Sequence, residues 1–189
     1  MILMRHGESE FNVVYKKTRV DPGIRDPKLT DLGQRQVEDA TTYLSGRRIV
    51  RILTSPYTRA IETACIVADR IKAPIQINAY IGERAAFTCD IGTPRSELRR
   101  LWPLLDLDHV SETWWPTPVE SEEALDIRCR AFRQNQTKTN DWQEVLVVSH
   151  WGFIRGLTGH AVGNAQLIEF NPHGGHPGGG KVVPMEIPC

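Results

Sequence analysis

Two imidazoles and two guanidiniums stand at places where a chain could use them for chemistry. His6 lies in Arg5-His6-Gly7, directly after the apolar run Ile2-Leu3-Met4, and His150 lies in Ser149-His150-Trp151-Gly152, directly after Val145-Leu146-Val147-Val148. A third run, Arg51-Ile52-Leu53-Thr54, leads in the same way into Ser55-Pro56-Tyr57-Thr58-Arg59. Each apolar run reads as a buried strand, and the glycines read as turns where backbone can crowd a ligand. Open α/β sheets bind ligands just beyond the carboxyl ends of their strands. Two histidines and two arginines at three such ends point to one anion-handling site assembled from distant segments.

The chemistry that suits these groups is phosphoryl transfer. A neutral imidazole can attack phosphorus and carry the group covalently, which splits one hard displacement into two easier ones. The equatorial oxygens must be positioned and neutralised, and the planar fork of arginine does both. Arg59 falls in the first turn of a predicted helix, where the macrodipole disfavours a cation and a bound anion reverses that balance. A solvated arginine at a helix start is the plainer alternative. Metal binding by the two histidines is a rival chemistry, opposed by the adjacent arginines and by the lack of a neighbouring aspartate or HxH pattern.

The elements that must position these groups alternate between strand and helix, which predicts a three-layer α/β/α sandwich with a mainly parallel central sheet. After strand Ile2 to Met4 comes a helix capped by Thr30 and ended by Gly46, then a strand from about Ile49 to Thr54. The next helix is read as opening with Ser55 as N-cap and Pro56 at its first position, with an inner stripe of Ala60, Ala64, Val67, Ala68 and Ile71. A strand from Ile75 to Ala79 follows, and later a helix from Glu122 to Gln136 capped by Ser121. A strand from Glu144 to Val148 and a helix from Phe153 to Ala161 complete the pattern. Residues 84–120, rich in Trp and Pro, read as a lid or specificity insertion. Residues 171–180 read as a mobile Gly/Pro-rich loop between short strands, with His173 and His176 as surface histidines rather than metal ligands.

The 189 residues fit one domain with a proper core. Lys+Arg and Asp+Glu number 23 each, so no global field advertises nucleic acid or an anionic membrane, and neither is an expected partner. The cysteines, Cys65, Cys89, Cys129 and Cys189, form no CxxC pair, and no run is long and apolar enough for a signal or a membrane span. The expectation is a reduced, cytoplasmic protein. Oligomeric state is left open.

Four segments, in order along positions 1–160, resemble one family. Arg5-His6-Gly7-Glu8-Ser9-Glu10-Phe11-Asn12 is similar to the RHGxSxxN signature of the histidine phosphatase superfamily, the phosphoglycerate-mutase-like proteins. Leu29-Thr30-Asp31-Leu32-Gly33-Gln34-Arg35-Gln36 resembles its LTxxGxxQ segment, Ser55 to Ala64 its SPxxRAxxTA segment, and Val147 to Gly152 its VSHxG segment. The resemblance implies that His6 is the phosphorylated residue, that Arg5, Arg59 and His150 cradle the phosphoryl group, and that Glu83 is the proton donor. It implies a hydrogen bond from Asn12, and Gly7, Ser9, Trp151 and Gly152 join Asn12 as candidates for substrate contact, Trp151 as a pocket wall. The expected function is a metal-independent, cofactor-free phosphomonoesterase acting on a phosphorylated small molecule, with a phosphoprotein as an open alternative substrate. A cofactor-dependent phosphoglycerate mutase and a non-catalytic phosphate-binding protein are the alternatives. Arg99-Arg100, which could imitate the paired arginines of mutases, read instead as the exposed face of a short helix.

Overall fold

The structure is a computed structural model that describes residues 1–116 and 119–186. Pro118 of the expected lid and Cys189 lie outside the described residues. In chain order the elements are β1 (Ile2–Arg5), α1 (Glu10–Thr18), α2 (Asp31–Thr42), β2 (Arg51–Thr54), α3 (Thr58–Ile71), β3 (Ile75–Ile77), α4 (Arg95–Leu101), α5 (Glu122–Gln136), β4 (Val145–Ser149), α6 (Trp151–Thr158), β5 (Leu167–Phe170) and β6 (Gly180–Val182). The strands form one sheet in the order β3-β2-β4-β1-β5-β6. The four strands from β3 to β1 run parallel, and β5 and β6 extend the sheet antiparallel beyond β1.

Side-chain alternation along the central strands divides the core into two layers. Leu3, Leu53, Val145 and Val147 face one side and pack with Leu125, Cys129 and Phe132 of α5 and Phe153, Ile154 and Leu157 of α6. Ile2, Met4, Ile52, Leu146 and Val148 face the other and pack with Val37 and Ala40 of α2 and Ala60, Ala64 and Val67 of α3. The predicted three-layer sandwich is therefore present. Because β1 and β4 are buried on both faces, their sequences read as continuous apolar runs rather than alternating ones.

Several local expectations change. Helix α1 was not expected, although Ser9 as cap, Glu10 in the first turn and Lys16 and Lys17 in the last are ordinary helix signals. Helix α3 starts at Thr58, not at Pro56, and its first turn is capped from elsewhere in the chain: the Asp26 carboxylate accepts from Thr58 N at 2.9 Å and Thr58 Oγ1 at 2.8 Å. Within the 84–120 segment, Trp102 and Trp114 join Ile61, Ile77, Leu98, Leu107 and Val110 in a third cluster beside β3 instead of roofing the site. Arg99 and Arg100 do lie on the exposed short helix α4, where they pair with Asp108 and Glu97.

The 171–180 loop links β5 to β6, but it is anchored rather than free. Arg133 of α5 donates to the carbonyls of Asn171, Pro172, Gly174 and Gly178 at 2.6–3.4 Å. His176 is correspondingly not a surface group: its side chain is 7% exposed and its Nε2 meets Asp126 at 2.7 Å. His173 packs against the Trp142 ring. Among the described residues no helix is long and apolar enough to cross a membrane.

Candidate active site

The carboxyl ends of β1, β2 and β4 converge, and the residues just past them come together. His6 and His150, 144 positions apart in sequence, sit with ring centroids 5.1 Å apart. A cavity of about 190 Å³ is lined by Arg5, His6, Ser9, Asn12, Arg59, Glu83, Trp151 and Gly152 of the expected set, with Asp90, Phe87 and others beside them. Two expected residues do not line it. Gly7 is packed into the fold, and His150 is fully buried behind His6.

The loop after β1 is shaped by glycine packing. A Cβ on Gly7 would lie 2.4 Å from the Gly33 carbonyl oxygen, and one on Gly33 would lie 2.0 Å from the Glu8 carbonyl oxygen. The backbone that Gly7 admits is thus that of α2, not a ligand. Thr30 N donates to Glu8 O at 2.9 Å and Glu8 N to Gln36 Oε1 at 3.0 Å, so the second motif serves as a cradle for the first.

His6 has a defined tautomer. Its Nδ1 lies 2.7 Å from the Gly7 carbonyl oxygen, which can only accept, so Nδ1 carries the proton and Nε2 keeps its lone pair. Burial, then the charges of Arg59 and Arg5, hold the pKa of His6 well below the usual histidine value of 6.5. The ring is neutral at physiological pH and able to act as a nucleophile. His150 is depressed in the same sense, by burial first and then by Arg59. Its Nε2 lies 2.5 Å from Ser55 Oγ. Ser55, expected as a helix cap, is a partner of His150 instead.

Charge is concentrated around these rings. Burial lowers the Arg5 pKa to about 10, and its Nη1 donates to Val162 O at 2.8 Å. Arg59 is 3% exposed; Nη1 donates to Cys89 O at 2.9 Å, and Nη2 meets Asp90 Oδ1 at 3.2 Å. Burial alone would lower its pKa, but Cys89 and Asp90 outweigh that and raise it. Arg5 Nε and His150 Nδ1 are buried without a hydrogen-bond partner. Four other buried side-chain atoms among the described residues, on Arg95, Arg133, Gln136 and His176, share this state away from the cavity, so it does not by itself mark the site.

Glu83 stands opposite. Its Oε1 accepts from Arg84 N at 2.9 Å and Gly152 N at 2.8 Å. Burial first, then the charge of Asp90, raises its pKa above that of an ordinary carboxyl. The loop that presents it is held by Arg128, which forks onto Glu120 at 2.9 and 2.7 Å and donates to the Tyr80 and Gly82 carbonyls at 2.6 and 2.9 Å. Asn12 Oδ1 accepts from Ser9 N, Ser9 Oγ and Asn164 Nδ2, each at 3.1 Å.

Sequence reasoning missed Asp90, Asp26 and Ser55 as members of this assembly. The anion that Arg59 called for at the start of α3 is supplied first by the protein itself, through Asp90 and Asp26. No spacing announces either carboxylate, since both arrive from loops remote in sequence.

Fold and site together define an α/β phosphatase. The chain belongs to the histidine phosphatase superfamily (branch 1), which it matches over residues 1–177. It is 27% identical over 172 residues to a glucosyl-3-phosphoglycerate phosphatase of Mycolicibacterium vanbaalenii, covering 86% of this chain and 74% of that one. It is 28% identical over 169 residues to the adenosylcobalamin/alpha-ribazole phosphatase of Escherichia coli strain K12, covering 85% and 78%. A solved mycobacterial glucosyl-3-phosphoglycerate phosphatase complexed with VO3 superposes with a TM-score of 0.63 at 21% identity, covering 89% of this chain and 88% of that one, a likeness of fold.

Proposed function

We propose that the protein hydrolyses phosphomonoesters through a phosphohistidine on His6, without a metal or cofactor. The observation that carries this reading is the tautomer of His6: Nδ1–H is spent on the Gly7 carbonyl, so the Nε2 lone pair is available inside a cavity shared with Arg5, Arg59 and Glu83. Nε2 attacks phosphorus, and the ester P–O bond breaks as Glu83 gives its proton to the departing oxygen. Water then attacks the phosphohistidine, Glu83 takes the water proton, and the P–N bond electrons return to Nε2. Glu83 suits both steps because Oε1 is occupied by two N–H donors while burial favours a proton on the carboxyl.

Arg5 and Arg59 neutralise the transferring oxygens. His150 does not line the cavity and is held neutral, so its part is to back the His6 ring; if Ser55 Oγ–H donates to its Nε2, its Nδ1–H is left as an unpaired buried donor. Asn12 and Trp151 stand at the leaving-group side of the cavity. Named relatives are phosphatases of small organic phosphates, which supports a small phosphorylated metabolite as substrate. Three free thiols, Cys65, Cys89 and Cys129, suit a reducing compartment such as the cytoplasm.

The test is the His6→Ala variant in an assay containing EDTA. Wild type should release phosphate from an aryl phosphate and, when quenched, carry acid-labile phosphate. The variant should lose both activities by at least about a thousandfold, the scale of losing a nucleophile. Activity retained in the pure variant overturns the assignment, and isomerisation of a phosphoglycerate faster than phosphate release identifies a mutase instead.

A further inference from the structure

The His6 cavity, at about 190 Å³, is smaller than pockets that enclose a whole small molecule, which run from roughly 300 to 1,000 Å³. It holds a phosphoryl group and little more. A second hollow of about 800 Å³ adjoins it, and the two share Arg5, Asn12, Tyr15, Phe87 and Trp151 as lining. Five lining residues in common make that rim the broadest continuation of the phosphoryl site, since the hollow of about 550 Å³ that also adjoins it shares Glu83 alone.

Two properties of the second hollow identify a ligand chemistry. One wall is aromatic: Tyr15 and Phe87 lie 5.1 Å apart, each within 5.6 Å of the Phe11 ring, and Trp151 lines the same space. Phe87 is 40% and Trp151 38% exposed, so two large apolar rings stay in contact with solvent beside the site. Phe87 has an exposed ring surface available for stacking, while Trp151 already carries the Arg155 guanidinium over its ring at 5.1 Å. The other feature is charge. Lys16 and Arg19 of the α1 end line the hollow, and among the described residues no carboxylate lies within 4 Å of either. Glu8, the acidic residue in the lining, is engaged with Thr30 Oγ1 at 3.0 Å. The lining thus carries three cations, Arg5, Lys16 and Arg19, against the one carboxylate of Glu8, and Arg19 reaches over the Tyr15 ring at 5.8 Å, so charge and aromatic surface share this hollow.

We infer that this hollow is the leaving-group subsite, and that it fits a phosphomonoester whose alcohol carries a flat ring and, beyond the ring, a second anionic group. The ring stacks among Tyr15, Phe87 and Trp151, and the second anion meets Lys16 and Arg19. The inference rests on the phosphatase reading above, so its test uses binding rather than turnover.

Calorimetry should compare three non-hydrolysable phosphonates, methylphosphonate, benzylphosphonate and 4-(carboxymethyl)benzylphosphonate, on wild type, Phe87→Ala and the double variant Lys16→Ala/Arg19→Ala. The ring should improve binding over methylphosphonate, and Phe87→Ala should remove most of that gain. The added carboxylate should tighten wild-type binding by about 5- to 20-fold, the range for two partly exposed ion pairs. That gain should vanish in the double variant and shrink with added salt. Equal affinity for the benzyl and carboxymethyl ligands in wild type overturns the inference, as does a gain that survives in the double variant. Failure of the phosphatase reading would look different: the phosphonate preferences would stand while phenyl phosphate released no phosphate.

Discussion

Arg59 and Asp90, 31 residues apart in sequence, form a buried ion pair in which Nη2 lies 3.2 Å from Oδ1 and the two side chains are 3% and 2% exposed. Asp90 Oδ2 meanwhile accepts from Ala86 N and Phe87 N at 3.0 and 3.1 Å, so the carboxylate ties the cavity wall to the guanidinium. In the proposed mechanism an entering phosphoryl group would meet an arginine that is already oriented and already partly neutralised. That arrangement exchanges some electrostatic attraction for pre-organisation.

Replacing Asp90 by Asn should therefore leave Arg59 as a buried, unpaired charge. The expected cost is about 3 kcal/mol in urea unfolding, the lower end for breaking a buried pair by removing one partner. Because a bound anion can substitute for the lost carboxylate, inorganic phosphate or vanadate should raise the melting temperature of Asp90→Asn more than that of wild type. Equal shifts in the two proteins would show that Arg59 does not face the anion.

The same substitution should move the pH profile. Burial and then Asp90 raise the Glu83 pKa, so loss of the Asp90 charge should lower it. The protonated Glu83 required for the first step then titrates away at lower pH, and the alkaline limb of kcat should shift toward acid. An unmoved limb in Asp90→Asn would mean that another group is the acid.

Gly152 faces a tighter constraint than its place in a motif conveys. A Cβ there would lie 2.4 Å from Glu83 Oε1, and the Gly152 N–H is one of the two donors that orient that carboxylate. Gly152→Ala should push Glu83 out of line and reduce kcat by about 100-fold, the scale of an ångström-level misplacement. Unfolding free energy should change far less, and kcat near wild type would remove Glu83 from the mechanism.

The depressed pKa of His6 makes stability depend on pH in a definite direction. A histidine held neutral in the folded state binds its proton only on unfolding, so its contribution is complete above pH 6.5 and is lost as pH falls toward the folded pKa. Each such histidine should cost about 1.4 kcal/mol per pH unit in that window. Glu62 and Glu83, whose pKa values are raised, act in the opposite sense and stabilise as pH falls. The clean measurement is the difference in unfolding free energy between wild type and His6→Asn, which should shift in favour of the variant between pH 6.5 and 5. A difference that stays flat would mean that the imidazole is not held neutral.

Asp26 supplies a cap from a distance. It accepts from Thr58 N, Thr58 Oγ1, Thr93 N and Thr93 Oγ1 at 2.6–3.2 Å, joining the start of α3 to the loop that follows Asp90. Asp26→Ala should cost about 2 kcal/mol, the upper range for a helix cap, and weaken phosphate binding through Arg59 one residue along. A stability change below a few tenths of a kcal/mol would show that water replaces the cap.

Most of the element order, the parallel sheet and the placing of His6, Arg5 and Arg59 at strand ends were legible in the sequence, because apolar runs followed by turn or cap residues are local signals with local causes, whereas helix α1 was missed and Glu83 entered only through the family resemblance. The helix at Glu122–Gln136 appears with its expected bounds and Ser121 as its cap, since cap and stripe lie within one stretch of chain. Ser55 misled for the same reason: its position before Pro56 satisfies every local rule for a cap, yet His150, 95 residues away, takes its hydroxyl. The sequence by itself determined which groups could do chemistry and at which strand ends they sit. Only the tertiary structure decided that Asp90 holds Arg59, that Asp26 caps α3, that His150 lies behind His6 and that Arg133 pins the glycine-rich loop. Those choices depend on which remote segments meet in the same low-dielectric space, and charge pairing there follows distance rather than spacing along the chain.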